Sequence, residues 1–311
     1  MLEISIVVPV RNENENIKPF LQRTENVLNK IGKSYEIIFA LDPSTDNTEK
    51  VIIDEIKRNK NIRLLVFSRQ FGQPSATIAG ILNSKGSYCV IIDVDLQDPP
   101  EIIEELYKKV ILGYEVVYAK RKSRKGESFF KKIIASLGYY FINKLSDIHI
   151  PKDAGDYRII TRKIITYLKK LNESHGFLRG MVAYVGFKQT YIEYDRDERS
   201  IGKSKYNKFF GSLKIGLNGL IGFSSRPLFL MSITGFVIAI FSFLLGIWYL
   251  FQKISGINLT LGLTTTVILI SFFAGIQLLG LGLLGEYVGR IYDEVKKRPK
   301  YIVDKKINFD D

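Results

Sequence analysis

Apolar residues fall in short runs over the first two thirds of the chain and in two long runs near its end. Residues 4–10, 35–41, 62–67 and 88–92 are nearly continuous Ile, Val, Leu and Phe, the pattern of strands buried on both faces of a parallel sheet. Between them lie amphipathic stretches that predict helices up to about residue 31, over 48–57, through Ala76, Ala79 and Gly80, and from Pro99 to about Leu112. A further strand is expected at 115–119, another opening at 153–158, and a short helix at 177–184. Pro9 is expected to interrupt the first strand. Strands and helices alternating at this interval predict an α/β fold, a mostly parallel sheet covered by helices on both faces.

The pattern then changes. Residues 227–251 and 261–285 hold no charged side chain, and the connection between them holds one, Lys253. Each run spans about 25 residues at ~1.5 Å per residue, enough to cross a hydrocarbon core ~30 Å thick. Two transmembrane helices are expected. Arg226 precedes the first, and Arg290, Lys296, Lys297 and Arg298 follow the second, so both ends of the pair are expected in the cytoplasm. The first twelve residues have too short an apolar run and no basic flank for a signal peptide. Residues 205–225 mix Lys205, Lys208 and Lys214 with Phe209, Phe210, Leu213 and Leu217, as a helix lying in the membrane interface does. The organisation predicted is a catalytic domain at 1–204, an amphipathic juxtamembrane helix at 205–225, a two-helix transmembrane hairpin at 226–290 and a mobile cytoplasmic tail at 291–311.

Charge adds a constraint on partners. The chain carries 45 Lys and Arg against 32 Asp and Glu, a formal +13. That balance suits nucleic acid, anionic lipid or an anionic substrate, and the apolar runs favour the last two. The one cysteine, Cys89, lies inside the strand at 88–92 and is expected as core filling in a reducing compartment. Small residues such as Gly275, Gly280 and Gly282 make helix-to-helix assembly into a homo-oligomer an expectation.

Chemistry concentrates where the strand at 88–92 ends in Asp93-Val94-Asp95-Leu96-Gln97-Asp98-Pro99-Pro100. An extended backbone past Ile92 would point Asp93, Asp95 and Gln97 to one face. Carboxylates held that close need a cation, a shared proton or solvent. Oxygen-only ligands point to Mg²⁺ or Mn²⁺ bridging to a diphosphate. No strand is followed by G-x-G-x-x-G or G-x-x-x-x-G-K-[ST], which argues against a dinucleotide redox enzyme and a P-loop ATPase. The basic run Lys120-Arg121-Lys122-Ser123-Arg124-Lys125 and the helix carrying Lys131 and Lys132 are expected to bind anions. His149 and His175 have no partner at metal-ligand spacing and read as structural.

Five separated segments share a further property. Val8-Pro9-Val10-Arg11-Asn12-Glu13, Asp42-Pro43-Ser44-Thr45-Asp46-Asn47-Thr48, Asp93 through Glu101, Gly155-Asp156-Tyr157-Arg158 and Gly202-Lys203-Ser204-Lys205-Tyr206 together resemble the inverting family 2 glycosyltransferases of GT-A fold. More narrowly they resemble the polyprenyl-phosphate glycosyltransferases, a group that includes dolichol-phosphate mannose synthase and bacterial undecaprenyl-phosphate glucosyltransferases. The resemblance covers essentially the whole chain. One motif departs: Leu41 and Pro43 stand where the family's Asp-Asp-Gly-Ser has its first Asp and its Gly, which loosens any inference about the base.

The resemblance implies transfer of a hexose from a nucleotide-diphosphate sugar of the UDP-glucose or GDP-mannose type to a polyprenyl phosphate, with inversion. It implies donor contacts from Pro9, Arg11, Glu13, Asp42, Arg69, Asp93 and Asp95, and a metal held by Asp93, Asp95 and Gln97. Arg121, Lys132, Arg158, Arg199, Lys203 and Ser204 would hold acceptor or diphosphate oxygens. Asp156 resembles the family's catalytic carboxylate, either a base or an acceptor-positioning group. A processive polysaccharide synthase and a catalytically idle sugar-nucleotide scaffold are the alternatives. The sole tryptophan, Trp248, lies in the first apolar run, away from where a Gln-x-x-Arg-Trp segment would serve processivity.

Overall fold

The computed structural model describes residues 2–122, 154–171, 173, 177–196, 221, 222, 224–255 and 262–309. Lys132, His149, His175, Arg199, Lys203, Ser204 and most of the expected juxtamembrane helix lie outside the described residues.

The four apolar runs form strands β1 (Ile4–Val10), β2 (Tyr35–Leu41), β3 (Ile62–Phe67) and β4 (Tyr88–Ile91), separated by helices α1 (Asn14–Ile31), α2 (Thr48–Arg58) and α3 (Gln73–Asn83). Helix α4 (Ile102–Val110) and strands β5 (Val116–Arg121) and β6 (Ala154–Thr161) follow. After them come α5 (Arg162–Lys170), α6 (Leu178–Val185) and β7 (Gln189–Tyr194). The described strands make one sheet in the order β7-β5-β6-β4-β1-β2-β3-β8, with only β6 and β8 running against the others.

Alternation along β1 divides the core. Ile4, Ile6, Val8 and Val10 pack with Ile17 and Phe20 of α1, Ile52 of α2 and Ile103 of α4, while Val7 faces Ile78 and Ile81 of α3 on the other side. Cys89 is fully buried on that second side, and burial pushes its thiol up to about 12. It is core filling.

Pro9 does not interrupt β1, which continues to Val10. The Val7 carbonyl accepts from Ile92 on the β4 side, and the Val10 carbonyl from Asp42 on the β2 side. By alternation the missing Pro9 N–H faces β4, whose pairing with β1 has already ended at Val7.

Two long apolar helices follow, α7 (Arg226–Ile254) and α8 (Leu263–Lys296), each long and apolar enough to cross a membrane. Their large side chains, among them Phe236, Phe243, Trp248, Leu278 and Leu281, are exposed. Beyond α8 the expectation of a mobile tail fails. Strand β8 (Val303–Ile307) returns to pair antiparallel with β3 at the sheet edge. The reason is pairing: β3 would otherwise present an unpaired row of backbone groups.

Gly86 precedes β4 where no side chain fits. A Cβ there would lie 2.7 Å from the Ser5 nitrogen and 2.9 Å from the Ile4 carbonyl carbon, backbone atoms that cannot rotate aside. Gly86→Ala is expected to cost about 1–3 kcal/mol, read as a lowered denaturation midpoint; an unchanged midpoint would show that β1 and β4 can spread.

Candidate active site

Parallel strands point their carboxyl ends to one edge, and that edge gathers the polar residues. From β1 come Arg11 and Glu13, from β2 Asp42, from β3 Arg69, and from β4 Asp93, Asp95, Gln97 and Asp98. Strand β6 reaches the same edge because it runs backwards. Its register pairs Ile91 with Arg158, and just beyond that last pair Asp156 lies near enough for its charge to act on Asp93.

The loops after β1 and β2 are tied to each other. Backbone N–H groups of Asn12, Glu13 and Asn14 donate to Ser44 Oγ (3.0 Å), Thr48 Oγ1 (2.9 Å) and Asp46 Oδ2 (3.3 Å). Asp46 also accepts from the Thr48 N–H and hydroxyl, and these bonds outweigh burial to hold its carboxyl below the usual range. Asp42 is almost wholly buried, and its two oxygens accept the N–H groups of Phe71 (2.9 Å) and Gly72 (2.8 Å). It therefore shapes the loop between β3 and α3. Arg69, exposed, stacks on Phe71 at 4.1 Å, and Glu13 accepts from the Asn16 amide at 2.6 Å.

After Ile92 the backbone does not stay extended. Residues 94–95 turn, the Gln97 N–H closes on Asp95 Oδ1 at 3.2 Å, and Leu96 takes a left-handed φ of 59°. An aspartate bonding to a backbone two residues on favours this turn over further extension. The alternation of burial survives: Val94, Leu96 and Asp98 are buried, while Asp93, Asp95 and Gln97 are half-buried.

Asp93 accepts from Gln73 Nε2 at 2.8 Å. Burial, together with the charges of Asp98, Asp95 and Asp156, pushes its carboxyl up to about 7. Two carboxylates and an amide oxygen in that surplus of negative charge fit a hard divalent cation that completes its shell with phosphate oxygens. Among the described residues no group of three or more His, Cys, Asp or Glu side chains is placed to hold a metal ion.

Arginines supply the opposite charge. Asp98, 3% exposed, accepts a hydrogen bond from the Tyr194 hydroxyl. Arg121 Nη2 stands 3.6 Å and Arg196 Nε 3.4 Å from the same Asp98 oxygen. Asp156 is gripped by Arg179, with Nε at 2.8 Å and Nη2 at 3.3 Å. Burial alone would raise the Asp156 carboxyl, but Arg179, Arg158 and Arg121 outweigh it and hold it below the ordinary value.

Arg158 departs from expectation. It is 3% exposed, its fork is spent on the carbonyls of Gly155 and Asp156, and burial pushes it down to about 10. Its β6 position turns it inward to support the Asp156 backbone instead of reaching a phosphate. The sequence by itself assigns no site role to Arg179, Tyr194 or Gln73. Arg179 and Tyr194 had no motif around them, and only the surplus of acid at 93–98 signalled that such partners must exist.

Residues 5–168 match the family described as Glycosyl transferase family 2. An uncharacterized glycosyltransferase of Bacillus subtilis (strain 168) is 42% identical over 304 residues, covering 98% of this chain and 94% of its own length. The SfII prophage-derived bactoprenol glucosyl transferase of Shigella flexneri is 37% identical over 304 residues, covering 98% of both. Among solved structures, a Pyrobaculum calidifontis mannosyltransferase in complex with GDP-Man and Mn²⁺ shares the fold. Its TM-score is 0.51 at 15% identity, covering 71% of this chain and 63% of that one.

The raised Asp93 carboxyl sets a pH dependence. Between the ordinary carboxyl pKa near 4 and about 7, the folded chain keeps a proton that the unfolded chain has lost, so stability falls as pH rises across that window. Asp93→Asn removes this loss. Its melting temperature is expected to gain several degrees on the parent's between about pH 5 and about pH 8, and a constant difference would show that Asp93 titrates normally.

Proposed function

The chain belongs to glycosyl transferase family 2, and from that premise we propose that it transfers a hexose from a nucleotide-diphosphate sugar to a membrane polyprenyl phosphate. The observation that carries this reading is the match to a bactoprenol glucosyl transferase along 98% of the chain, a stretch that takes in the acidic edge and the two apolar helices. The relatives' names favour glucose as the hexose and undecaprenyl phosphate as the acceptor. The acceptor's tail would lie in the bilayer, and helices α7 and α8 would hold the enzyme beside it.

A phosphate monoester has its second pKa near 6, so at neutral pH most of the acceptor is already a dianion and needs little help from a base. Its oxygen attacks the anomeric carbon as the bond from that carbon to the diphosphate oxygen breaks, which inverts the centre and releases the nucleoside diphosphate. Asp156, ionised and gripped by Arg179, is a poor proton acceptor and serves to orient. Arg121, freed from or shared with Asp98, offers a fork to incoming phosphate oxygens. Arg196 stands beside it, and Lys132, Arg199, Lys203 and Ser204, which lie outside the described residues, would hold further acceptor or diphosphate oxygens.

Asp93, Asp95 and Gln97 would hold Mg²⁺ or Mn²⁺, which as a Lewis acid neutralises charge on the departing diphosphate. Asp42 and Glu13 would act on the nucleoside through the loops they fix, beside Pro9, Arg11 and Arg69. We place the catalytic sheet in the cytoplasm: basic residues flank the helix pair, and both of its ends connect to the same sheet through β7 and β8.

The test is transfer of labelled sugar from UDP- and GDP-sugars to undecaprenyl phosphate by the full chain, with and without Mg²⁺ or Mn²⁺. A chloroform-extractable product that depends on the ion is expected. Nucleotide-sugar binding with no lipid product from any donor would favour the polysaccharide-synthase or scaffold alternatives. Asp95→Ala is expected to lower transfer by about 100-fold; full activity in that variant would remove Asp95 from the ion. Arg121→Ala is expected to raise KM for lipid phosphate about tenfold, with a much smaller effect on the donor. Equal effects would assign Arg121 to the diphosphate.

A further inference from the structure

The segment leaving α8 is fastened to the catalytic domain at several points. Lys300 Nζ donates to the Leu171 carbonyl at 3.0 Å, and the Ile302 carbonyl accepts from the Ser68 N–H at 3.0 Å. Lys305 pairs with Glu49 of α2, Lys306 donates to Asn83 at the end of α3, and Asn308 donates to the carbonyls of Lys60 and Ile62. Tyr301 is central to this strap. Its ring lies 5.9 Å from Phe67, the last residue of β3, and its hydroxyl meets the Asn83 side chain. It packs against both apolar clusters beneath α3.

Those contacts bracket one loop. Phe67 touches Phe71 edge-on at 6.2 Å, and Phe71 carries Arg69 on its face. The Phe71 and Gly72 N–H groups are the donors that occupy Asp42, and the next residue, Gln73, holds Asp93. A short chain of contacts thus runs from Tyr301 through Phe67 and Phe71 to Asp42 and Asp93, two of the carboxylates assigned to the nucleotide sugar.

We propose that Tyr301 is a positioning residue for the nucleotide-sugar site, through which the segment emerging from the apolar hairpin holds the loop at residues 68–73 in its binding shape. The proposal rests on the donor assignment above. Tyr301 touches neither reacting group; it acts on the loop that does. The ring makes the contact, so phenylalanine supplies most of it.

Tyr301→Ala and Tyr301→Phe are compared in the full chain, in detergent or a lipid disc. The alanine variant is expected to raise KM for the nucleotide sugar about tenfold, with kcat and KM for polyprenyl phosphate within about twofold of the parent, and phenylalanine is expected to restore the donor KM. Hydrogen exchange gives a second reading that needs no donor: the Phe71 and Gly72 amides are expected to exchange faster in the alanine variant, while β1 amides do not. If alanine prevents folding, Tyr301→Leu takes its place in both measurements. A lowered melting temperature with unchanged exchange at 68–73 overturns the proposal, as does an equal rise of donor and acceptor KM. Faster exchange at 68–73 in the alanine variant, when the parent itself transfers no sugar, would keep the coupling and reject the donor assignment.

Discussion

Four carboxylates crowd the carboxyl edge of this sheet, and the rest of the site follows from how their charge is balanced. Asp98, the most buried, is met by Tyr194, Arg121 and Arg196. Asp156 is met by Arg179. Asp93 accepts from the neutral Gln73 amide, and burial together with the charges of its acidic neighbours raises its pKa. Burying a charge without a partner is costly, so the arrangement leaves its unbalanced negative charge where a cation is most useful. The two ends of the cluster therefore differ in kind: cationic side chains dominate around Asp156 and Asp98, and acidic ones around Asp93 and Asp95.

Much of this was visible in the residues themselves. Continuous apolar runs located β1 to β4, because strands buried on both faces must be apolar on both. Carboxylates spaced by two at the end of the fourth run located the acidic edge, and two runs nearly free of charge located α7 and α8. What escaped depends on contacts between distant segments. Nothing local to Asp156 reveals that β6 runs against β4, yet that direction alone sets Asp156 beside Asp93. Asp42 reads as an available acceptor until the loop after β3 folds back onto it. Arg158 lies in a recognisable motif, yet a position on the inward face of β6 decides what its guanidinium touches. The turn at residues 94–97 shows the converse: its Asx bond is local, and alternation was the wrong rule for four residues that alternate in burial without being extended.

Loops that look separate in sequence work as a unit in the fold. Hydrogen bonds stitch the loop after β1 to the loop after β2, and Asp42 ties the second to the loop after β3. Gln73 then ties that third loop to the acidic turn after β4. Four strand ends are thereby held in one frame by polar side chains, while the apolar layers beneath fix only the strands that carry them.

The return of β8 to β3 also has a bearing on the order in which the molecule is made. Its partner strand is complete once Phe67 has been synthesised, but residues 303–307 follow roughly 235 residues later. At ~5–20 residues per second, β3 waits about ten to fifty seconds at the ribosome for its neighbour. During that interval both apolar helices are synthesised. The sheet edge at β3 therefore closes only after both helices have been made, and a chain released before residues 303–307 would keep an open edge exposed to other nascent chains.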